Sequence, residues 1–274
     1  MLRVGKITYA NCTPIFDGLE RMELPDVEIV TGVPSELNQA LAQGSIDLCI
    51  SSSIEYPRHA EEYLILPDFC IGSDGPVESV LMFSILPIEE LSGKEILVTS
   101  ESATSVILLQ ILMRRHFGLS DVRIKPVTLS VHEALKKAPA VLVIGDTALK
   151  AYLNIPNSAT CHDLGSLWKA YTGLPFVYAL WLLNKRTIEN KRSQLAQFAQ
   201  ALITVHDQMK HQLDGLSKRA QERSWIDAPQ LLRYWSDAIQ YRMTDAHRLG
   251  LERFYRDAYE LGYVPAVPEL HFLA

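Results

Sequence analysis

Apolar and polar positions alternate along the first third of the chain in short runs, each closed by small polar residues. Residues 4–9 alternate and predict a strand, 14–19 a short helix opened by Pro14, and 27–30 a second strand. Pro34 opens a helix through residue 42, with Gly44 behind it. The apolar run 46–51 predicts a buried strand, the serines 51–53 a turn into a short helix toward residue 60, and 63–71 another strand. Strands alternating with helices in this way imply a parallel sheet with helices on its faces.

A second set follows the turn residues 72–76 and an extended run, 77–86. Strands are predicted at 95–98, 122–126, 140–145 and 176–183, and helices at 103–116, 131–137 and 146–152. From residue 187 the period changes. Leu195, Phe198, Leu202, Val205 and Met209 recur at helical spacing, and Leu231, Tyr234, Trp235 and Ile239 continue the pattern.

Two α/β sets in series are thus joined by two extended segments, 80–85 and 179–183. Two connections between two lobes make the second an insertion in the first. The expected division is lobe one at 1–84 and 183–274, with the C-terminal helices packed on it, and lobe two at 85–182. Strand ends and helix starts then face a cleft between the lobes, a position that ligands favour.

Composition narrows the function. Of 274 residues, 48% are hydrophobic and 21% charged, enough to bury a real core. A net charge of −6 without any basic cluster argues against a nucleic-acid partner. The longest apolar run, 176–183, is far too short to cross a bilayer, and no secretory h-region follows Met1, so a cytoplasmic location is expected. The histidines show no metal-ligand spacing, and no glycine-rich nucleotide motif is present, so neither metal nor cofactor is expected. Cys12, Cys49, Cys70 and Cys161 lack paired spacing and read as buried thiols. Cys12 sits beside a predicted helix N-terminus that could lower its pKa, but no His or Glu lies nearby in sequence to serve as its base, so it too reads as a thiol without a catalytic role.

Four turns share one design, in which a strand ends, small polar residues follow and a helix begins. They are Asn11-Cys12-Thr13, Ser51-Ser52-Ser53, residues 99–105, and Gly145-Asp146-Thr147. Any one of them serves as a helix cap. Two from each lobe point instead to a small anionic molecule clamped between helix N-termini.

The segments RVGKITYANCTPIFDGLE, GSDGPVESVLMFS, ESATSVILLQILM, VLVIGDTAL and DLGSLWKAYTGLPFVYALW, in this order, resemble the signature blocks of the chorismate dehydratases of the futalosine route to menaquinone. The resemblance covers residues 3 to about 184. It implies a two-lobed, type II periplasmic-binding-protein-like fold and a cofactor-free lyase. Such an enzyme converts chorismate to 3-[(1-carboxyvinyl)oxy]benzoate with loss of water. It also implies that Asn11 and Ser79 are tied to activity, and it matches Thr104 and Ser105 to the family's Thr-Ser pair. The family often has Arg before that pair, where this chain has Ala103.

On this reading Asn11 and Ser79 orient the enolpyruvyl group and the leaving hydroxyl. Thr104 and Ser105 hold the ring carboxylate, and Ser51, Gly145 and Asp146 complete the substrate contacts. The ring proton goes to the substrate's own enolpyruvyl carboxylate, with Asp146 as the other candidate acceptor. Two rivals are a 1,4-dihydroxy-6-naphthoate synthase, whose opening turn is expected to resemble CPNDT rather than ANCTP, and a binding protein for a small carboxylate without catalysis.

Overall fold

The computed structural model describes residues 1–155 and 158–273. Among them the alternating and apolar runs form eleven strands in two sheets. In chain order these are β1 (Leu2–Ile7), β2 (Val27–Gly32), β3 (Leu48–Ser52), β4 (Tyr63–Ser73), β5 (Val80–Ser84), β6 (Glu95–Thr99), β7 (Arg123–Val127), β8 (Ala140–Ile144), β9 (Thr160–Asp163), β10 (Phe176–Asn184) and β11 (Gln240–Arg242). The first sheet has the order β11-β4-β10-β3-β1-β2, the second β7-β6-β8-β5-β9.

In the first sheet β1 lies parallel to β2 and β3, as strand–helix–strand connections require. β10 then enters between β3 and β4, antiparallel to both, because it arrives from the second lobe. The second sheet repeats the plan. There β6 is parallel to β7 and β8, and β5 crosses in antiparallel to β8 and β9. The second lobe is therefore inserted in the first, and each lobe has its own sheet.

Sheet pairing displaces the expected lobe limits by one strand at each crossing. Val80–Ser84 pairs within the second sheet, and Phe176–Asn184 pairs along its length within the first, opposite to limits at 85 and 182. Both runs are apolar on both faces, so their pattern carries no information about which sheet receives them. Two further elements lie where no period was legible, the edge strand β9 and the helix Leu164–Thr172 behind it. The tail also contains β11, which pairs with β4 in what reads as an all-helical stretch.

Helices flank both sheets. The helix Thr13–Glu20 packs against the long helix Arg192–Arg219, where Gly18 lets the two come close. The last helix, Asp245–Glu260, lies on β10 and also reaches the helix Thr104–Ile111 of the second lobe. Arg115 pairs with Glu260 at 2.6 Å and the Tyr263 hydroxyl donates to Gln110 at 3.1 Å across the same junction. Thus the C-terminal helices rest on lobe one and also span to lobe two. Among the described residues no helix is long and apolar enough to cross a membrane.

Candidate active site between the two lobes

The carboxyl ends of β1, β3, β6 and β8 converge on a small cavity of ≈ 70 Å³ between the lobes. Its walls take Tyr9, Asn11 and Ser52 from the first lobe and Glu101, Ser102, Thr104, Ser105 and Gly145 from the second. Ser79 lines it where the chain crosses between lobes. Strands end here for the reason the sequence gives: apolar runs stop at small polar residues that cannot continue a buried ladder.

Asn11 sits in a single tight turn, Ala10–Cys12, between β1 and the helix that Pro14 opens. Its side-chain oxygen is buried and has no hydrogen-bond partner within the protein. A buried amide oxygen left unpaired costs on the order of 1–3 kcal/mol. The preceding residue, Ala10, is held through both of its backbone groups. The Ala10 N–H donates to Asp146 Oδ1 at 2.9 Å, and the Ala10 carbonyl accepts from Trp235 Nε1–H at 2.7 Å.

Ser79 is 3% exposed. Its hydroxyl accepts from the Tyr234 hydroxyl at 2.9 Å and donates to the Val77 carbonyl at 3.3 Å. Just before it Glu78 has φ of 60°, a left-handed conformation uncommon outside glycine. Asp163 holds that turn, for its carboxylate accepts from Val77 N–H at 3.0 Å and from Glu78 N–H at 2.7 Å. It also caps the following helix by accepting from Ser166 N–H at 3.0 Å. Burial raises the pKa of the Asp163 carboxyl, and these backbone donors offset only part of that rise.

Thr104 and Ser105 open the second-lobe helix and both line the cavity. The Thr104 hydroxyl accepts from Ile54 N–H of the first lobe at 3.2 Å, so it also ties the lobes together. The Ser105 N–H is taken up by the Ser102 hydroxyl at 3.1 Å. Gly145, at φ of 58°, lines the cavity beneath the Tyr9 ring, and a Cβ there would stand 2.9 Å from a ring carbon. Its N–H donates to the Ser79 carbonyl at 2.8 Å.

Two expected contacts lie elsewhere. Ser51 does not line the cavity, and its hydroxyl donates to Asn38 at 2.7 Å. Successive strand residues face opposite sides, so its neighbour Ser52 takes the cavity wall. Asp146 is not among the lining residues either. Its carboxylate is occupied by the Ala10 N–H, and burial raises its pKa. Cys12 is buried, and burial, with Asp146 nearby, pushes its thiol up to about 12. The helix start therefore does not produce a thiolate there.

Sequence reasoning passed over Tyr9, Glu101, Asp163, Tyr234 and Trp235. Glu101 is the acidic residue among the described residues of the cavity wall, and it accepts the Tyr9 hydroxyl at 2.5 Å across the lobes. Burial, followed by that carboxylate, raises the Tyr9 pKa and keeps the phenol protonated as a donor. Tyr9 and Asp163 stand inside the signature segments, but neither sits at one of the four turns. No spacing marks Tyr234 or Trp235, which read only as the apolar stripe of a helix.

The described wall residues include no Lys or Arg. The Asn11 amide, hydroxyls and the Glu101 carboxylate, itself bonded to Tyr9, line the cavity together with the apolar Ile7, Ile50, Ile71 and Ile144. Such a site orients neutral and partly charged oxygens by dipoles instead of by ion pairs.

A chorismate dehydratase from Thermus thermophilus is 29% identical to this chain, the match covering 96% of each. One from Campylobacter jejuni is 28% identical over 91% of this chain and 94% of its own. The periplasmic aliphatic sulphonate binding protein from Escherichia coli superposes with a TM-score of 0.69 at 15% identity, covering 98% of this chain and 95% of that one, which shows the shared fold. A family model described as menaquinone biosynthesis matches residues 2–260, and the chain belongs to that family.

Proposed function

We propose that this chain is a chorismate dehydratase, converting chorismate to 3-[(1-carboxyvinyl)oxy]benzoate and water. The observation that carries the reading is the buried, unpaired oxygen of Asn11 in the interlobe cavity that Ser79 also lines. Chorismate brings what this oxygen lacks, a ring hydroxyl able to donate. The two curated relatives are named for the same reaction.

In the reaction the ring C3–H bond and the C4–O bond break, hydroxide leaves with the proton as water, and the ring becomes aromatic. Asn11 accepts from the leaving hydroxyl and holds it in place, while Ser79 donates toward the oxygens beside it. Thr104 and Ser105 face the ring carboxylate from the second lobe, and Gly145 gives the ring room under Tyr9. Closed lobes exclude water and fix one ring conformer, a contribution of orientation. For the ring proton, the substrate's enolpyruvyl carboxylate is the favoured acceptor. Asp146 is bonded to Ala10 and is not on the wall, and Glu101 is bonded to Tyr9. Aromatic stabilisation supplies much of the driving force, so a weak internal base suffices.

Incubation with chorismate and mass detection of the product test the reading. A product lighter by one water, with the absorbance of an aromatic ether, is expected. Tight binding of a small carboxylate without turnover would favour the non-catalytic alternative. Turnover of a cyclic futalosine-type substrate in place of chorismate would favour the naphthoate synthase.

A further inference from the structure

Three consecutive residues of the C-terminal segment reach both of the turns that hold Asn11 and Ser79. The helix Ala228–Arg233 continues into a wider π-helical turn, Tyr234–Ala238, before β11. π-turns inside helices recur at functional sites. Arg233 pairs with Glu78, the left-handed residue just before Ser79. The Tyr234 hydroxyl donates to Ser79 Oγ at 2.9 Å, and Trp235 Nε1–H donates to the Ala10 carbonyl, one residue before Asn11, at 2.7 Å. Tyr234 and Trp235 are each 1% exposed.

We infer that Tyr234 and Trp235 are positioning residues for the dehydration, and that Tyr234 fixes Ser79 as a hydrogen-bond donor to the substrate. The inference rests on the dehydratase reading and adds to it a role for the C-terminal helices.

The direction follows from proton accounting. Tyr234 donates its hydrogen bond to Ser79, so one lone pair of the serine is occupied and the serine's own hydrogen needs an acceptor. Within the protein that acceptor is the Val77 carbonyl at 3.3 Å, near the outer limit of a useful hydrogen bond. A substrate oxygen in the cavity competes well against it. The proton then turns toward the ligand, strengthened by the bond received from Tyr234. Burial holds the Tyr234 phenol far above its usual pKa, so it stays a neutral donor across the working pH range. Trp235 does the corresponding work on the other turn. Together with Asp146 it clamps the Ala10 peptide, so that the amide of Asn11 stays aimed at the cavity with no protein partner of its own.

Tyr234→Phe removes one oxygen atom and keeps the ring. The expected result is a kcat about ten-fold lower, the worth of one neutral hydrogen bond, with KM within about two-fold and an unchanged melting temperature. An unchanged kcat overturns the inference. So does a loss of kcat that tracks a matching fall in melting temperature, since that is the signature of a packing role. The same substitution on a Ser79→Ala background is expected to cost nothing further, because Tyr234 acts through that hydroxyl. An equal loss in both backgrounds contradicts that route. The unsubstituted protein is assayed first. Absence of turnover there overturns the dehydratase reading and this role with it, whereas a kcat left unchanged by Tyr234→Phe overturns the role alone.

Discussion

Gly145 shows how a residue without a side chain shapes the cavity. Its left-handed backbone turns the chain from β8 into a helix, and its bare Cα accepts the face of the Tyr9 ring. Gly145→Ala adds a Cβ in a disfavoured conformation, about 1 kcal/mol for the backbone alone, and drives Tyr9 off its contact with Glu101. We expect at least a ten-fold fall in kcat/KM with chorismate. A variant that turns over normally would mean that Tyr9 does not define the cavity. At this scale the sequence was informative wherever a residue type has one main use. Pro14 opens its helix, and Asn11, Thr104, Ser105 and Gly145 all reach the cavity from turns recognisable as strand ends. Ser51 was misplaced because three serines in a row do not reveal which one the strand's alternation turns inward. Asp146 was singled out and Glu101 passed over, although both are carboxylates in turns after strands. The bond each makes across the lobes separates them, and a linear chain does not display it.

Elements carry the next level. The helix Thr13–Glu20, which begins just after Asn11, is seated on the helix Arg192–Arg219 through Gly18. A Cβ on Gly18 would lie 2.6 Å from a methyl of Val205, which is branched and fully packed. Gly18→Ala is expected to destabilise the protein by ~1–3 kcal/mol, read from the urea midpoint, since the added methyl overlaps the Val205 side chain and one of the two must shift. An unchanged midpoint would show that the long helix shifts freely. The helices with clear apolar stripes and the parallel strands were legible, because burial on one face imposes a period. β5 and β10 were legible as strands but not as members of a sheet, being apolar on both faces. β9, β11 and the junction at Tyr234 were not legible, since each is set by a partner distant in sequence.

At the scale of the whole molecule, the lobes are drawn together around the cavity by Tyr9–Glu101, Ala10–Asp146 and Ile54–Thr104, and outside it by Lys150 resting over Trp225 at 4.5 Å. Stability also depends on a buried titratable group away from the cavity. His206, in the long helix, packs on Phe69 with ring centres 4.3 Å apart and bonds the Leu202 carbonyl at 2.9 Å. Burial pulls its pKa down from 6.5 to about 4. The neutral ring is thus favoured in the folded state. Its contribution is complete above pH 6.5 and is lost as pH falls from there toward 4, on the order of 3 kcal/mol in all. Urea midpoints between pH 7.5 and 4.5 are expected to fall over this window, and His206→Leu to flatten that part of the curve. Parallel curves for the two proteins would contradict the assignment. Asp146 and Asp163, whose pKa values burial raises, act with the opposite sign and are common to both proteins, so the comparison isolates the histidine.

The central claim is that the interlobe cavity, through Asn11, dehydrates chorismate. Its most direct test is the rate of aromatic enolpyruvyl ether formation from chorismate by the unsubstituted protein and by Asn11→Asp, followed by mass and absorbance. The replacement keeps the shape and sets a fixed negative charge against a dianionic substrate. The account predicts steady product from the first protein and a loss of at least a hundred-fold in the second, with the fold intact. No product from the unsubstituted protein, or equal rates from the two, would contradict it.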